Sequence, residues 1–533
     1  MRKSFVWICV AFFAVLMSLP WLVPHMGWLA LFGFLPLLLA DDFADHLDVK
    51  HFWCYQYSAF VLWNACTTFW VCNATVGGGI FAVLANAFQM SVIWALFRFS
   101  KKRLSGAVPY IFLAVMWIAW ERAYFSAQIS WPWLTLGNAF ARTTHLIQWY
   151  DTTGSLGGSL WIWACNLGLY GMLSAMADAR WQRWNRIARM TASIALVLVF
   201  LLPAGLSLLK YKNYQENSEG TLSVLIGQPN FDPYEKFSSM LQEEQTTVLT
   251  DLYESAITED TDLLLAPETF TSDIYLSDVL QSPTVGSFEE FLGRHSQAKL
   301  LFGASTWDLY QQNAAPSLMA RPFGDAQWIE SHNSALMLDA AGQYDIFHKS
   351  KLVVGTELTP YPKLFVPLDN WLSGLLGVSN LIGRCVGQKE VSLLNFDDST
   401  PVGCAVCYES VYGEYCADYV RKGAKLMTVI TNDAWWGDTP GYRQHMSYAR
   451  LRAIELRRDI ARCGNTGISA IIDQKGDIVS QTPWWTRTTL SGEVNLSSTQ
   501  TPFVRYGDIV GRVCTLAFLL LAALLLVKLL IRK

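Results

Sequence analysis

Three side chains in the second half of the chain could together carry out covalent acyl chemistry, and each ends an apolar run. Cys407 closes the run 401–407 and precedes a helical pattern. At a strand-to-helix turn a thiol lies near a helix N-terminus, whose partial positive charge favours the nucleophilic thiolate. Glu268 directly follows Pro267 after the apolar run 262–266, where partial desolvation raises a carboxylate toward the pKa of a working base. Lys349 ends Phe347-His348-Lys349, where an ammonium could stabilise an oxyanion. Taken singly, each has an ordinary reading: a packed core cysteine, a solvated loop glutamate, a snorkelling surface lysine.

The elements that must position them read as α/β between residues 211 and 506. Strands are expected at 221–227, 262–266, 298–304, 401–407 and 425–431, with hairpins at 334–347 and around Asp473–Gly476. Helices are expected at 236–256, 411–422 and 442–460. Cys404 and Cys407 form a lone Cys-x-x-Cys without a second pair or a histidine at zinc spacing, so no metal site is expected. Walker, His-Glu-x-x-His and Gly-x-Gly-x-x-Gly patterns are absent, and no cofactor is expected.

Of 533 residues, 52% are hydrophobic and only 16% charged, below the roughly 25% charged of soluble domains. The excess belongs in lipid. A net charge of −4 leaves no basic field for nucleic acid. Apolar stretches run near 5–24, 27–40, 52–74, 77–97, 107–125, 157–177 and 189–209, with an eighth at 509–530; most approach a membrane span, and the second is short enough to be re-entrant or tilted. Basic residues gather in the loops holding Arg98, Lys101, Lys102 and Arg103, then Arg180, Arg183, Arg186 and Arg189, and in the tail with Lys528, Arg532 and Lys533. With the N-terminus inside, eight crossings put these in the cytoplasm and 211–506 outside it. The expected division is therefore 1–210 in the membrane, 211–506 as a soluble domain and 507–533 as a returning helix with its tail. Trp21, Trp28, Trp117, Trp120, Trp131, Trp133 and Trp149 near span ends read as an interfacial belt. A sharper reading has the loop Ser130-Trp131-Pro132-Trp133, with Glu121 and Arg122, shaping a lipid access path.

Five ordered motifs carry a family resemblance: Pro267-Glu268; Phe347 to Leu352 around Lys349; Val406-Cys407-Tyr408-Glu409; Thr431 to Asp438; and Cys463 to Gly467. They resemble the nitrilase superfamily with its Glu-Lys-Cys triad, and the seven-plus-one apolar stretches narrow this to the apolipoprotein N-acyltransferase family. The resemblance spans nearly the whole chain. It implies a multi-pass α-helical membrane bundle plus a nitrilase-like αββα sandwich on the outer face of a bacterial inner membrane. The implied reaction passes an acyl chain from a phospholipid, typically phosphatidylethanolamine, through a Cys407 thioester to the amine of a diacylated apolipoprotein, the enzyme acting as a monomer in the bilayer. Glu268 is then the base, and Lys349 with a backbone N–H near Tyr408 holds the oxyanion. Glu357 supports the triad, Glu409 sits beside the nucleophile, and Trp435 lies near the lipid-facing mouth.

The chain departs from the family at Val353–Glu357, where the usual proline is missing and the glycine comes one residue early. The apolar segment 371–382 is expected to be a lid dipping into the bilayer and bending at Gly374 and Gly377; the rival reading is a short buried helix. Three other functions compete. A membrane-anchored amidase would use the same triad on a small amide. A transporter would need ionisable pairs across the spans. A Cys-His enzyme would use His332, His348 or His445 as a neutral base.

Overall fold

The computed structural model describes residues 2–378 and 381–531; Arg532 and Lys533 of the tail, and Ser379 and Asn380 of the lid segment, lie outside them. All eight apolar stretches are helical. Lys3–Leu22, Gly27–His46, Val76–Lys101, Ser155–Ala177, Arg186–Asn213 and Ile509–Ile531 are long and apolar enough to cross a membrane, and this is a membrane protein. Two 17-residue helices pack among them: Phe52–Thr68 against the first and third of these, and Val108–Tyr124 against the last.

The short second stretch gains its length by continuing to His46, and it breaks at Phe34. Asn166, from Ser155–Ala177, mends the break. Its Oδ1 accepts from the N–H groups of Phe34 (2.8 Å) and Leu35 (3.1 Å), and its Nδ2 donates to the Ala30 carbonyl (2.9 Å). Within lipid no water can do this, and each unpaired group would cost several kcal/mol. At the C-terminal end of that helix, Lys101 reaches Asp41 (2.6 Å) and Asp45 (2.7 Å), with Arg98 on the same two carboxylates. The turn after Asp45 and the basic loop after Arg98 thus lie at one end of the bundle.

Two sheets stack face to face. The first runs Thr488–Asn495, Thr221–Gln228, Leu263–Leu265, Lys299–Gln311, Gln327–Leu338 and Arg321–Gly324, with Thr271–Tyr275 on the fourth strand and Tyr344–His348 on the fifth. The second runs Ile478–Gln481, Ala470–Ile472, Ile460–Gly464, Leu426–Thr431, Pro401–Val406 and Leu394–Asn395. Strand alternation divides the first sheet's side chains. Leu225, Leu264, Leu300 and Phe302 pack under the helices Gln242–Glu254 and Pro283–Arg294, while Val224, Ile226, Leu265 and Leu301 join the core shared with the second sheet. Helices Gly413–Arg421 and Pro440–Leu456 cover the second sheet's far face. The architecture is the expected αββα sandwich. The helix expected over 236–256 is two, Pro233–Ser238 and Gln242–Glu254.

Pro440–Leu456 is buried on nearly every side because it is wedged between the sandwich and the bundle. Gln444 Oε1 accepts from Trp133 Nε1 (2.7 Å) and Trp70 Nε1 (3.3 Å), and its Nε2 donates to the Thr67 carbonyl (3.1 Å). Tyr448 donates to the Trp133 carbonyl (2.7 Å) and accepts from Trp21 Nε1 (3.1 Å). Trp21, Trp117 and Trp133 are therefore buried in protein rather than set in a headgroup belt, whereas Trp28 is exposed. Sequence alone shows the span end but not the domain resting on it.

Helix Pro362–Leu376 corrects the picture of the lid segment. Leu364, Leu368, Trp371 and Leu375 form one helical stripe turned outward, so this is no buried helix. Gly374 lies within regular helix, and the bend expected there is absent. Gly377, at φ +68°, ends the helix.

Candidate active site

Cys407 follows the strand Pro401–Val406, fifth of six in its sheet, and opens a five-residue 3-10 turn, Cys407–Val411. The α-helix begins only at Gly413, so the thiol does not sit on its N-terminus as expected. The backbone at Cys407 is left-handed, φ +52°, a conformation a non-glycine residue keeps only when its surroundings hold it. Burial pushes the thiol well above its ordinary pKa and the Glu268 carboxylate adds to this, while the Lys349 ammonium pulls it down. The resting group is a thiol, and a base has to take its proton.

Glu268 lies in the loop after Leu263–Leu265, buried. Its Oε1 accepts from Lys349 Nζ (2.9 Å) and Asn333 Nδ2 (2.8 Å), and its Oε2 from the N–H of Asn432 (3.1 Å). Gly303 admits this loop, since a Cβ there would stand 2.6 Å from the Glu268 Cα. Lys349, just past Tyr344–His348, is fully buried and also donates to Glu357 Oε1 (3.0 Å). Paired with two carboxylates, its ammonium is held well above the ordinary lysine range despite burial. The altered turn still delivers Glu357: Gly355 adopts φ +90°, and Glu357 Oε2 accepts from the Val353 N–H (2.7 Å).

Glu409 serves a different purpose from a group beside the reacting atoms. Fully buried, it accepts from the N–H groups of Val406 (2.9 Å), Ser350 (2.7 Å) and Lys351 (3.0 Å) and from Tyr415 Oη (2.6 Å). It staples the cysteine's strand to the lysine's loop. Tyr408 stacks on Trp131, ring centroids 5.9 Å apart, and donates to the Ser130 carbonyl (3.0 Å).

A cavity of about 630 Å³ unites these groups. Glu268, Lys349, Cys407, Glu357 and Asn333 line it together with Tyr408, Trp131, Trp133, Trp435 and Trp436 and with Phe81, Ala82 and Ala85 of the membrane helix Val76–Lys101. The Ser130–Trp133 loop thus belongs to the cavity. Glu121 does not: it is buried and accepts from the Leu136 N–H (2.7 Å), while Arg122 faces Asp508 at 3.6 Å. Asn333 was not singled out in the sequence. It bridges Glu268 and Glu357 (2.7 Å to the latter); it stands in the polar run Glu330-Ser331-His332-Asn333, just before the expected hairpin.

Cys407, Asp433 and His445 bring potential metal-ligand atoms within 4.8 Å of one another. Both imidazole nitrogens are engaged, however: Nδ1 lies 2.8 Å from Asp433 Oδ1, and Nε2 lies 3.0 Å from the Cys407 carbonyl oxygen. A carbonyl oxygen only accepts, so the contact at Nε2 is a donation from the ring; Nε2 also lies 3.1 Å from Ser410 Oγ. His445 is neither a free ligand nor a neutral base for the thiol. His348 bonds Ser334 Oγ (2.7 Å) and His332 the Val386 carbonyl (2.8 Å), both outside the cavity.

Residues 169–501 match the carbon-nitrogen hydrolase family: the chain belongs to the carbon-nitrogen hydrolases. Residues 13–168 match the apolipoprotein N-acyltransferase N-terminal domain. The chain is 29% identical over 504 residues to the apolipoprotein N-acyltransferase of Chlorobaculum tepidum, covering 93% of this chain and 91% of that one. To that of Geobacter metallireducens it is 28% identical over 523 residues, covering 96% and 93%. Among solved structures it is similar to Saccharomyces cerevisiae Nit3, a member of branch 10 of the nitrilase superfamily, at 13% identity and TM-score 0.37, covering 56% of this chain and 97% of that one.

Proposed function

We propose that this chain is an apolipoprotein N-acyltransferase that moves a fatty acyl chain from a membrane phospholipid, through a thioester on Cys407, to the N-terminal amine of a diacylglyceryl-cysteine lipoprotein. The observation that carries this is a cavity lined both by Glu268, Lys349 and Cys407 and by a helix long and apolar enough to cross a membrane. A small-amide hydrolase has no use for such a wall. Glu268 takes the Cys407 proton as sulfur attacks the sn-1 ester carbonyl. Lys349 and the Tyr408 N–H hold the oxyanion, each such donor worth about 3–4 kcal/mol in well-studied enzymes. The ester C–O bond breaks, and Glu268 returns the proton to the departing lysophospholipid. The lipoprotein amine then attacks the thioester carbonyl, losing a proton to Glu268; the C–S bond breaks, the amide is released, and Glu268 returns the proton to the departing Cys407 sulfur. Dividing one difficult exchange into two easier ones is the gain of covalent catalysis. The enzyme needs no cofactor and works as a monomer, with residues 1–210 as membrane domain, 211–506 as catalytic domain on the periplasmic face of the inner membrane, and 507–533 as returning helix and cytoplasmic tail. The outward stripe of Pro362–Leu376 dips into the outer leaflet as the lid, with Trp435 at the lipid-facing mouth.

Intact mass spectrometry of the detergent-solubilised protein after incubation with phosphatidylethanolamine tests the reading. A hydroxylamine-labile acyl adduct on the wild type, absent from Cys407→Ala, is expected. No adduct and no lysophospholipid release would remove it in favour of small amides.

A further inference from the structure

A hydrogen-bonded chain behind the nucleophile runs Arg462, Asp433, His445, Cys407 carbonyl. Arg462 Nη2 donates to Asp433 Oδ2 (2.5 Å) and lies 3.3 Å from His445 Nδ1. Asp433 Oδ1 lies 2.8 Å from His445 Nδ1 and accepts from the Thr431 hydroxyl (2.8 Å). His445 Nε2 and Ser410 Oγ both donate to the Cys407 carbonyl, at 3.0 and 2.7 Å. Arg462, Asp433 and His445 are fully buried; Asp433 and Thr431 also act on the thiol, and through His445 the chain reaches the backbone carbonyl of Cys407.

That atom belongs to the peptide unit joining Cys407 and Tyr408. A trans peptide is planar, with C=O and N–H pointing in opposite directions, so a clamp on one aims the other. The Tyr408 N–H lies in the first turn of Cys407–Val411, where no carbonyl of that turn reaches it. Donation to the carbonyl also polarises the unit and strengthens its N–H as a donor. We propose that His445, oriented by Asp433, is a positioning residue for the oxyanion: it fixes and polarises the Cys407–Tyr408 peptide so that the Tyr408 N–H is aimed at the tetrahedral oxygen. Glu409, bonded to the Val406 N–H, holds the residue on the other side of Cys407, and together they hold the left-handed turn. The inference rests on the acyl-transfer reading, because only a reaction passing through an oxyanion needs this donor.

The test compares two reactions of the same thiol in the full-length, detergent-solubilised protein. Acylation by p-nitrophenyl butyrate, read as the p-nitrophenolate burst, passes through an oxyanion. Alkylation by iodoacetamide does not, and it reports thiolate alone. In His445→Ala the ratio of acylation to alkylation rate at one pH should fall by roughly tenfold to a hundredfold. His445→Gln, which keeps a side-chain N–H, should recover part of the loss, and Ser410→Ala should show a smaller loss of the same kind. An unchanged ratio, whether both rates hold or fall together, would overturn the proposal and leave His445 acting on the thiol or the fold. Should His445→Ala fail to accumulate, the ratios in His445→Gln and Ser410→Ala decide the matter. If the wild type gives neither burst nor lipid adduct, the acyl-transfer reading fails and the inference falls with it; a wild-type burst with an unchanged ratio in the variants refutes the inference alone.

Discussion

The charges around Cys407 have opposite signs and so make opposite predictions. Burial and Glu268 push the thiol up and Lys349 pulls it down, so alkylation of wild-type Cys407 should keep rising with pH through about pH 9, near the ordinary thiol range, without a plateau. Glu268→Gln removes the neighbouring carboxylate and frees Lys349 to act on the sulfur. Alkylation at pH 7.5 should then speed up while acyl transfer falls by about a hundredfold or more, because the general base is gone. Lys349→Met should slow both. Slower alkylation in Glu268→Gln would show that the carboxylate does not act on the thiol through charge. That Glu268, Lys349 and Cys407 share one cavity was legible as a resemblance, because their types and order are distinctive. Asn333 and Glu409 were not legible in these roles: an asparagine's bridge and a glutamate's backbone partners are set by strands that meet only in three dimensions.

Two elements carry their own tests. Asn166→Leu strips the partners from the Phe34 and Leu35 N–H groups inside the bundle, at a cost of roughly 1–3 kcal/mol for a buried unsatisfied group; a lower thermal midpoint in detergent is expected, and an unchanged one would mean the break is satisfied otherwise. On Pro362–Leu376, Trp371→Ser should raise KM for phosphatidylethanolamine in vesicles by about tenfold, since burying such a side chain is worth roughly 1.5–3 kcal/mol, and leave the p-nitrophenyl butyrate burst intact. Equal effects on both substrates would argue against a bilayer contact. The apolar run was visible in the sequence, but its start at Pro362 was not, because Pro367 lies inside the helix and masks its period.

At the level of the whole molecule, sandwich and bundle share a continuous core through Pro440–Leu456. They should unfold in one thermal transition, read both by near-ultraviolet circular dichroism of the bundle's tryptophans and by thiol exposure of Cys463 in the sandwich. Gln444→Leu, which breaks the bonds to Trp70, Trp133 and Thr67, should lower that common midpoint. Two separate transitions in the wild type would refute the coupling.

Composition and periodicity sufficed for the apolar spans, the α/β pattern and the ordered Glu, Lys and Cys motifs, because these are properties of neighbours along the chain: hydropathy over about twenty residues, alternation over five, and residue type at a turn. What only the tertiary structure decided was which of them touch. Glu268 and Lys349 are 81 positions apart and 2.9 Å apart in space, and the cavity they share is lined also by a helix that ends at residue 101. The burial that raises the Cys407 thiol and the tryptophans' place against Pro440–Leu456 follow from that same docking, since desolvation depends on what covers a side chain and not on its neighbours in sequence.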